Sequence, residues 1–311
     1  MRVGVIMGGD SSERQVSLMT GQEMLSHLDR DKYDPYPIEI NNGSELVEAI
    51  RDVDVALLAL HGKYGEDGTI QATLHSLGIP FTGSGVLSSG LCMDKDIAKK
   101  LIRLEGIHTP NWMMVDSRMA ELDGKALAGK VREGLEYPVV VKPNSGGSSI
   151  GVQIIHSGEE LQSALQEALR WDDSVMIEHY IGGQEITCAI LNGRMLPVLS
   201  IASSSDFFDY TSKYTDGMAD EQVIHLPPEI EERVRAAALG CWHALKCSVY
   251  ARIDMILRDG IPYVMEANTL PGLTSASLLP KSAKAAGISM SELLDSIIEH
   301  SLLERRRERG S

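Results

Sequence analysis

The stretch VYARIDMILRDGIPYVMEANTLPGLTSAS, Val249 to Ser277, is predicted to form two strands joined at Arg258-Asp259-Gly260. Alternate residues of a strand share a face. On the first strand Ile253, Met255 and Leu257 lie on one face, with Arg252 and Asp254 on the other. On the second, Tyr263, Met265 and Ala267 oppose Glu266 and Asn268. A two-residue turn at Asp259-Gly260 would set odd positions against even and run each apolar face into a charged one. A three-residue loop, Arg258-Asp259-Gly260, with glycine at its left-handed third position, keeps even with even and is the expected connection. One face of the ribbon then becomes core. The other gathers a guanidinium, two carboxylates and an amide oxygen.

Carboxylates crowded on one face repel each other unless a cation lies between them. All-oxygen donors suit Mg2+ or Mn2+, and Mg2+ usually keeps water and nucleotide phosphates in its shell. A solvated sheet face with an Arg–Glu pair would show the same pattern. The ribbon alone leaves both readings open.

The 311 residues suffice for two or three domains, and 43% hydrophobic content is ordinary for a soluble globular protein. The longest apolar runs, such as 53–60, fall far short of the ~20 residues of a membrane span. Met1-Arg2-Val3-Gly4 runs straight into a strand pattern without a signal-peptide layout, and the expected location is the cytoplasm. Cys92, Cys188, Cys241 and Cys247 show no zinc spacing and are expected as free, buried thiols. A net charge of −15 excludes a nucleic-acid scaffold but not a local basic pocket.

Residues 2–7 read as a buried strand, and Gly8-Gly9-Asp10-Ser11-Ser12-Glu13 as a glycine turn opening a helix to about Leu28. That unit presents N–H groups to an anion or polar ligand. It is not GxGxxG, so no dinucleotide is expected, and Asp10 with Glu13 also fits a capping box. A second buried strand, 54–60, ends in His61-Gly62-Lys63-Tyr64-Gly65-Glu66. A helix follows at 94–105.

Tyr137-Pro138-Val139-Val140-Val141-Lys142 is a buried strand ending on lysine. The Gly/Ser loop 143–151 and another apolar strand come next. A Walker A loop would open a helix and carry GxxxxGK[ST], which is absent. A Gly/Ser loop between strands can fold over a triphosphate, with Lys142 as a point charge on the phosphates. A helix with a Ser157/Glu160 capping box and a strand at 174–181 precede a hairpin of 185–191 and 195–201 on Asn192-Gly193. Residues 202–222, polar and studded with aromatics, read as a lid with Lys213 and Tyr214 facing inward.

The glycine turn with Glu13, the Lys142 loop, the Ser-Lys-Tyr lid and the paired Arg252-Ile253-Asp254 and Glu266-Ala267-Asn268 together resemble the D-alanine–D-alanine ligases of the ATP-grasp superfamily. The resemblance covers nearly the whole chain. It implies an α/β and α+β fold of three domains. These are an N-terminal open parallel α/β sheet for substrate (1–94), then central (95–182) and C-terminal (183–311) α+β domains clamping ATP.

On the ATP side, the resemblance places Lys95 and Lys142 on phosphates, Ser148 and Ser149 over them, and Lys213 reaching in from the lid. Glu178, Tyr180, Ile181 and Glu185 would line the base and ribose pocket. Asp254, Glu266 and Asn268 would hold two Mg2+ or Mn2+ ions. On the substrate side, Glu13 would bind the first D-alanine's ammonium, with His61 nearby. Arg252 and the backbone of Gly272 would stabilise the oxyanion, and Ser277 and Leu278 would receive the second carboxylate. Glu13, Ser148, Tyr214, Arg252 and Ser277 would form the catalytic set.

The implied reaction joins two D-alanines through an acyl phosphate, releasing ADP and phosphate, for peptidoglycan precursor synthesis. A homodimer is implied too. Relatives making D-alanyl-D-lactate carry histidine where Tyr214 stands, so the dipeptide is favoured over the D-lactate product; a ligase with a D-lactate or D-serine acceptor is the alternative reading. Phe208, where some members have tyrosine, departs from the pattern. A non-catalytic ATP-binding regulator would have no need of the oxyanion donor Arg252.

Overall fold

The computed structural model describes residues 1–117, 124–203 and 219–310. Phe208, Lys213 and Tyr214 lie outside them. Strand β1 (Arg2–Gly8) is a near-continuous apolar run, buried at all but its first residue. A strand of that kind suits the centre of a sheet covered on both faces. It lies between β2 (Asp34–Ile40) and β3 (Val55–Leu58), parallel to both. Helices α1 (Arg14–His27), α2 (Gly43–Ala49) and α3 (Thr69–Ser76) accompany this sheet, while α4 (Val86–Met93) buries Cys92 in the core of a later sheet. The loops after β1 and β3 leave from the same end of it, where open α/β sheets hold ligands.

After α5 (Lys95–Leu104) comes an antiparallel sheet of β4 (Trp112–Asp116), β5 (Val139–Pro143), β6 (Gln153–Ile155) and β7 (Ser174–His179), in the order β4-β7-β5-β6. It packs on α6 (Gly124–Gly134) and α7 (Leu161–Ala168). The expected capping box takes another form: Ser157 Oγ donates to the Glu160 carboxylate at 2.9 Å, and α7 begins only at Leu161.

The third sheet is antiparallel and six-stranded. It contains β8 (Gln184–Leu191), β9 (Arg194–Met195), β10 (Leu199–Ser203), β11 (Ala219–Val223), β12 (Tyr250–Arg258) and β13 (Ile261–Asn268). Its order is β11-β10-β8-β12-β13, with β9 beside β8. Asn192 and Gly193 turn the β8–β9 hairpin with φ of 51° and 74°. The second strand expected there is interrupted around Pro197, which has no N–H to give a ladder. Helices α8 (Pro228–Ala244), α9 (Leu278–Ala285) and α10 (Met290–Gly310) complete the chain. Buried Leu293, Leu294, Ile297 and Ile298 of α10 belong to the core around the parallel sheet, nearly three hundred residues away from β1 in sequence. Among the described residues no helix is long and apolar enough to cross a membrane. All four cysteines are free and buried.

The β12–β13 ribbon departs from expectation in an instructive way. Its turn is the two-residue Asp259-Gly260, with φ of 53° and 74°, the paired left-handed geometry whose twist matches its strands. Near the turn odd therefore pairs with even, as Met255 with Val264. A β-bulge between Asp254/Met255 and Val264/Glu266 then inserts Met265 as an extra residue and shifts the register. Beyond it Asp254 faces Glu266, and Arg252 faces Asn268. The core residues of β13 are accordingly Pro262, Val264 and Ala267, not Tyr263, Met265 and Ala267. Burying residues such as Ile253 and Val264 is worth about 1.5–3 kcal/mol each. A lost ladder hydrogen bond costs about 0.5–1.5 kcal/mol, so the bulge is the cheaper way to keep the core in register.

Candidate active site

Two cavities meet on the polar face of the ribbon. The larger, about 460 Å³, lies between the four- and six-stranded sheets. The smaller, about 280 Å³, lies between the loops of the parallel sheet, the ribbon and the segment leading into α9. Lys95, Gly146, Gly147, Glu185, Ile201, Asp254 and Glu266 line both. A group handed from one cavity to the other would pass these seven.

On the ribbon Arg252 grips Asp254 twice, Nε to Oδ1 at 2.9 Å and Nη2 to Oδ2 at 2.7 Å. Thr187 Oγ1, cross-strand on β8, donates to Asp254 Oδ1 at 2.6 Å. Lys95 Nζ stands 3.4 Å from Glu266 Oε2 and donates to Gly146 O at 2.6 Å. Asn268 Oδ1 accepts from the Leu270 N–H at 2.8 Å. These groups offer two half-buried carboxylates directly opposite one another and an amide oxygen two residues on. That all-oxygen set fits Mg2+ or Mn2+ sharing its shell with phosphates.

The Gly/Ser loop comes next. Its start is tied to α5, since Asn144 Oδ1 accepts from the Asp96 N–H at 2.9 Å. Ser148 and Ser149 hold φ of 53° and 57°. Left-handed backbone is uncommon outside glycine and collects at ligand clamps.

Behind the loop, Glu178 is fully buried and shared by two lysines: Lys142 Nζ at 3.0 Å from Oε1, and Lys99 in direct contact with Oε2. Burial alone would raise the Glu178 carboxyl, but Lys142 and then Lys99 hold it below the usual range. Tyr180, Ile181 and Glu185 line the same cavity, with Met265 from the bulge.

On the far side, α1 begins at Arg14 without the expected Asp10/Glu13 capping box. The Glu13 carboxylate instead accepts from Ser148 Oγ, and the Glu13 N–H goes to Ser11 Oγ at 3.2 Å. His61 is buried, with Nε2 3.1 Å from Thr20 Oγ1 and Nδ1 3.4 Å from Glu66 Oε1. Burial raises the Glu66 carboxyl despite the pull of His61. Ser277 Oγ, at the head of α9, lies 2.8 Å from Thr274 Oγ1. A Cβ built on Gly272 would stand only 2.8 Å from that Ser277 Oγ.

Two family models match this chain: "D-ala D-ala ligase N-terminus" over residues 2–49 and 43–84, and "D-ala D-ala ligase C-terminus" over 101–299. The chain belongs to the D-alanine–D-alanine ligase family. It is 58% identical to a D-alanine–D-alanine ligase of Bacillus anthracis over 99% of both sequences. A crystal structure of the Bacillus anthracis ligase complexed with ATP superposes with a TM-score of 0.89 at 56% identity, over 99% of both chains. A D-Ala:D-Ser ligase from Enterococcus faecalis matches with a TM-score of 0.83 at 33% identity, covering 96% of this chain and 99% of that one.

Of the residues that the family resemblance singles out, Glu13, His61, Ser148, Arg252, Asn268, Gly272, Ser277 and Leu278 line the smaller cavity of this ligase-family chain. Lys142, Ser149, Glu178, Tyr180 and Ile181 line the larger. Lys213 and Tyr214 fall outside the described residues. Four participants escape sequence reading. Met265 was expected in the core. Thr187 is visible only as the cross-strand neighbour of Asp254. Glu66 carries a weak signal as a carboxylate in the His61 loop. Lys99 sits one helical turn after Lys95, on the same face of α5.

Proposed function

We propose that the chain joins two D-alanines to D-alanyl-D-alanine at the expense of ATP, through an acyl phosphate, releasing ADP and phosphate for peptidoglycan precursor synthesis. The observation that carries this is the meeting of two cavities at Lys95, Asp254 and Glu266. One can take a nucleotide, the other two amino acids, and the groups that manage phosphoryl charge lie between. Full-length identity to relatives named for the D-alanine dipeptide, 58% against 33% for the D-serine ligase, supports D-alanine as acceptor.

In this reading Lys95, Lys142, Ser148, Ser149 and, from the lid, Lys213 hold the phosphates, while Tyr180, Ile181 and Glu185 face base and ribose. Asp254, Glu266 and Asn268 would hold two Mg2+ or Mn2+ ions, which when bound supply positive charge beside the transferring phosphoryl group. Glu13 fixes the ammonium of the first D-alanine beside His61. The carboxylate oxygen of that D-alanine attacks the γ-phosphorus, forming the acyl phosphate, and ADP leaves. The deprotonated amine of the second D-alanine, held by Ser277 and Leu278, attacks the acyl carbon. Arg252 and the Gly272 N–H stabilise the tetrahedral oxyanion, and phosphate departs with the carboxylate oxygen. The ends of the expected lid 202–222, residues 202–203 and 219–222, are paired strand residues of β10 and β11, so the lid is shorter than expected; Tyr214, in the segment between those strands, would keep water from the acyl phosphate. The domain limits 1–94, 95–182 and 183–311, a homodimer and a reducing, cytoplasmic setting complete the proposal.

The test is phosphate release from ATP with D-alanine or D-lactate as the sole amino- or hydroxy-acid. Release with D-alanine and none with D-lactate is expected. No release with D-alanine would overturn the reading.

A further inference from the structure

Lys99 is 1% exposed and lines neither cavity, yet it contacts the carboxylate that Lys142 uses. Two lysines and one glutamate, all buried, leave a local charge of +1. Only Lys142 and Glu178 of the three border the nucleotide side. A lysine this deep is costly to keep charged. Lys99 is supported by Glu178, by Thr109 Oγ1 at 2.6 Å, and by the ring of Trp112 5.3 Å away.

We propose that Lys99 is a positioning residue for the nucleotide: by occupying one oxygen of Glu178 it leaves the charge of Lys142 available to the triphosphate. The proposal rests on reading the larger cavity as the ATP site. Without Lys99, Glu178 and Lys142 would form a closed neutral pair. Lys142 would then be drawn to the carboxylate instead of the phosphates, and the second oxygen of Glu178 would be buried without its cation.

The arrangement also carries a pH signature. Burial, only partly offset by Glu178, brings the Lys99 ammonium down to about 8. The charged groups acting on it are Glu178 from β7, Lys142 from β5 and Arg103 from its own helix α5. Thr109 and Trp112 carry no charge that titrates in this range. Lys99 is therefore protonated below about pH 8 and neutral above it. ATP binding should weaken as pH rises through that value, with kcat at saturating ATP unaffected by this group.

The test measures the ATP dissociation constant by calorimetry, and KM and kcat, for the full chain and for Lys99→Arg and Lys99→Met, between about pH 6.5 and about pH 9.5, across the range where a buried lysine can titrate. In the unaltered chain, ATP affinity should fall about tenfold over the upper half of the range, a pKa-unit equivalent of binding. Lys99→Arg should keep the low-pH affinity throughout. Lys99→Met should show the weakened affinity at every pH, with kcat nearly unchanged. Unaltered ATP affinity in Lys99→Met would overturn the proposal. Should Lys99→Met not fold, parallel pH profiles for the unaltered chain and Lys99→Arg would do so. Failure of the unaltered chain to bind ATP at any pH would overturn the cavity assignment, and the proposal with it.

Discussion

Ser148 Oγ donates a hydrogen bond to the Glu13 carboxylate, joining the Gly/Ser loop of the four-stranded sheet to the head of α1 across 135 residues of chain. The same carboxylate is the proposed anchor for the first D-alanine's ammonium, so the phosphate loop and the amino-acid site are coupled through one side chain. Glu13→Gln removes the charge and keeps the shape. KM for D-alanine is expected to rise about tenfold or more, the scale of a lost charge-assisted bond, while ATP affinity stays within about twofold. Initial rates against D-alanine, with calorimetry for ATP, separate the two.

Glu266 faces Asp254 across the ribbon and pairs with Lys95 at 3.4 Å. Glu266→Gln should abolish detectable turnover and leave the chain folded, because the site is half-solvated and the amide fits the same volume. ADP production together with a far-ultraviolet circular dichroism melt checks both halves. Full activity in that variant would contradict the metal assignment.

Glu178 holds two buried lysines, and its removal leaves both without their counter-charge. Glu178→Gln is expected to cost about 3–5 kcal/mol of stability at neutral pH, read as a lower urea midpoint. The native carboxyl lies below its ordinary 4.5. Its stabilisation is therefore complete above pH 4.5 and is lost as pH falls through the lowered native value. The gap between the two proteins should narrow below pH 4.5, and a gap independent of pH would contradict the charge account.

Gly272 approaches Ser277 so closely that a methyl group would press on its hydroxyl at 2.8 Å. Gly272→Ala is expected to lower kcat by about 10²–10³, the usual loss for a displaced oxyanion donor, with ATP affinity retained. Single-turnover phosphate release and ATP titration read the two effects apart.

Alternation made the polar face of the ribbon legible, since Arg252, Asp254, Glu266 and Asn268 fall two apart on short strands. The turn was not legible, because the parity mismatch of Asp259-Gly260 is absorbed at Met265, where a bulge leaves no mark in composition. The Lys142 loop announced itself through a buried strand ending on lysine before glycines and serines. Lys99 and Thr187 did not, since each acquires its role only from a partner brought close by the fold. The same holds for α10, whose docking on β3 and α1 depends on contacts more than two hundred residues apart.

The central claim is that ATP activates the carboxylate of one D-alanine for attack by the amine of another. The most direct measurement uses D-alanine carrying oxygen-18 in its carboxylate, with mass spectrometry of the released phosphate and the amino-acid product. One labelled oxygen in each phosphate, formed one-for-one with D-alanyl-D-alanine, is the expected result. Phosphate free of label, or labelled phosphate without dipeptide, would contradict it.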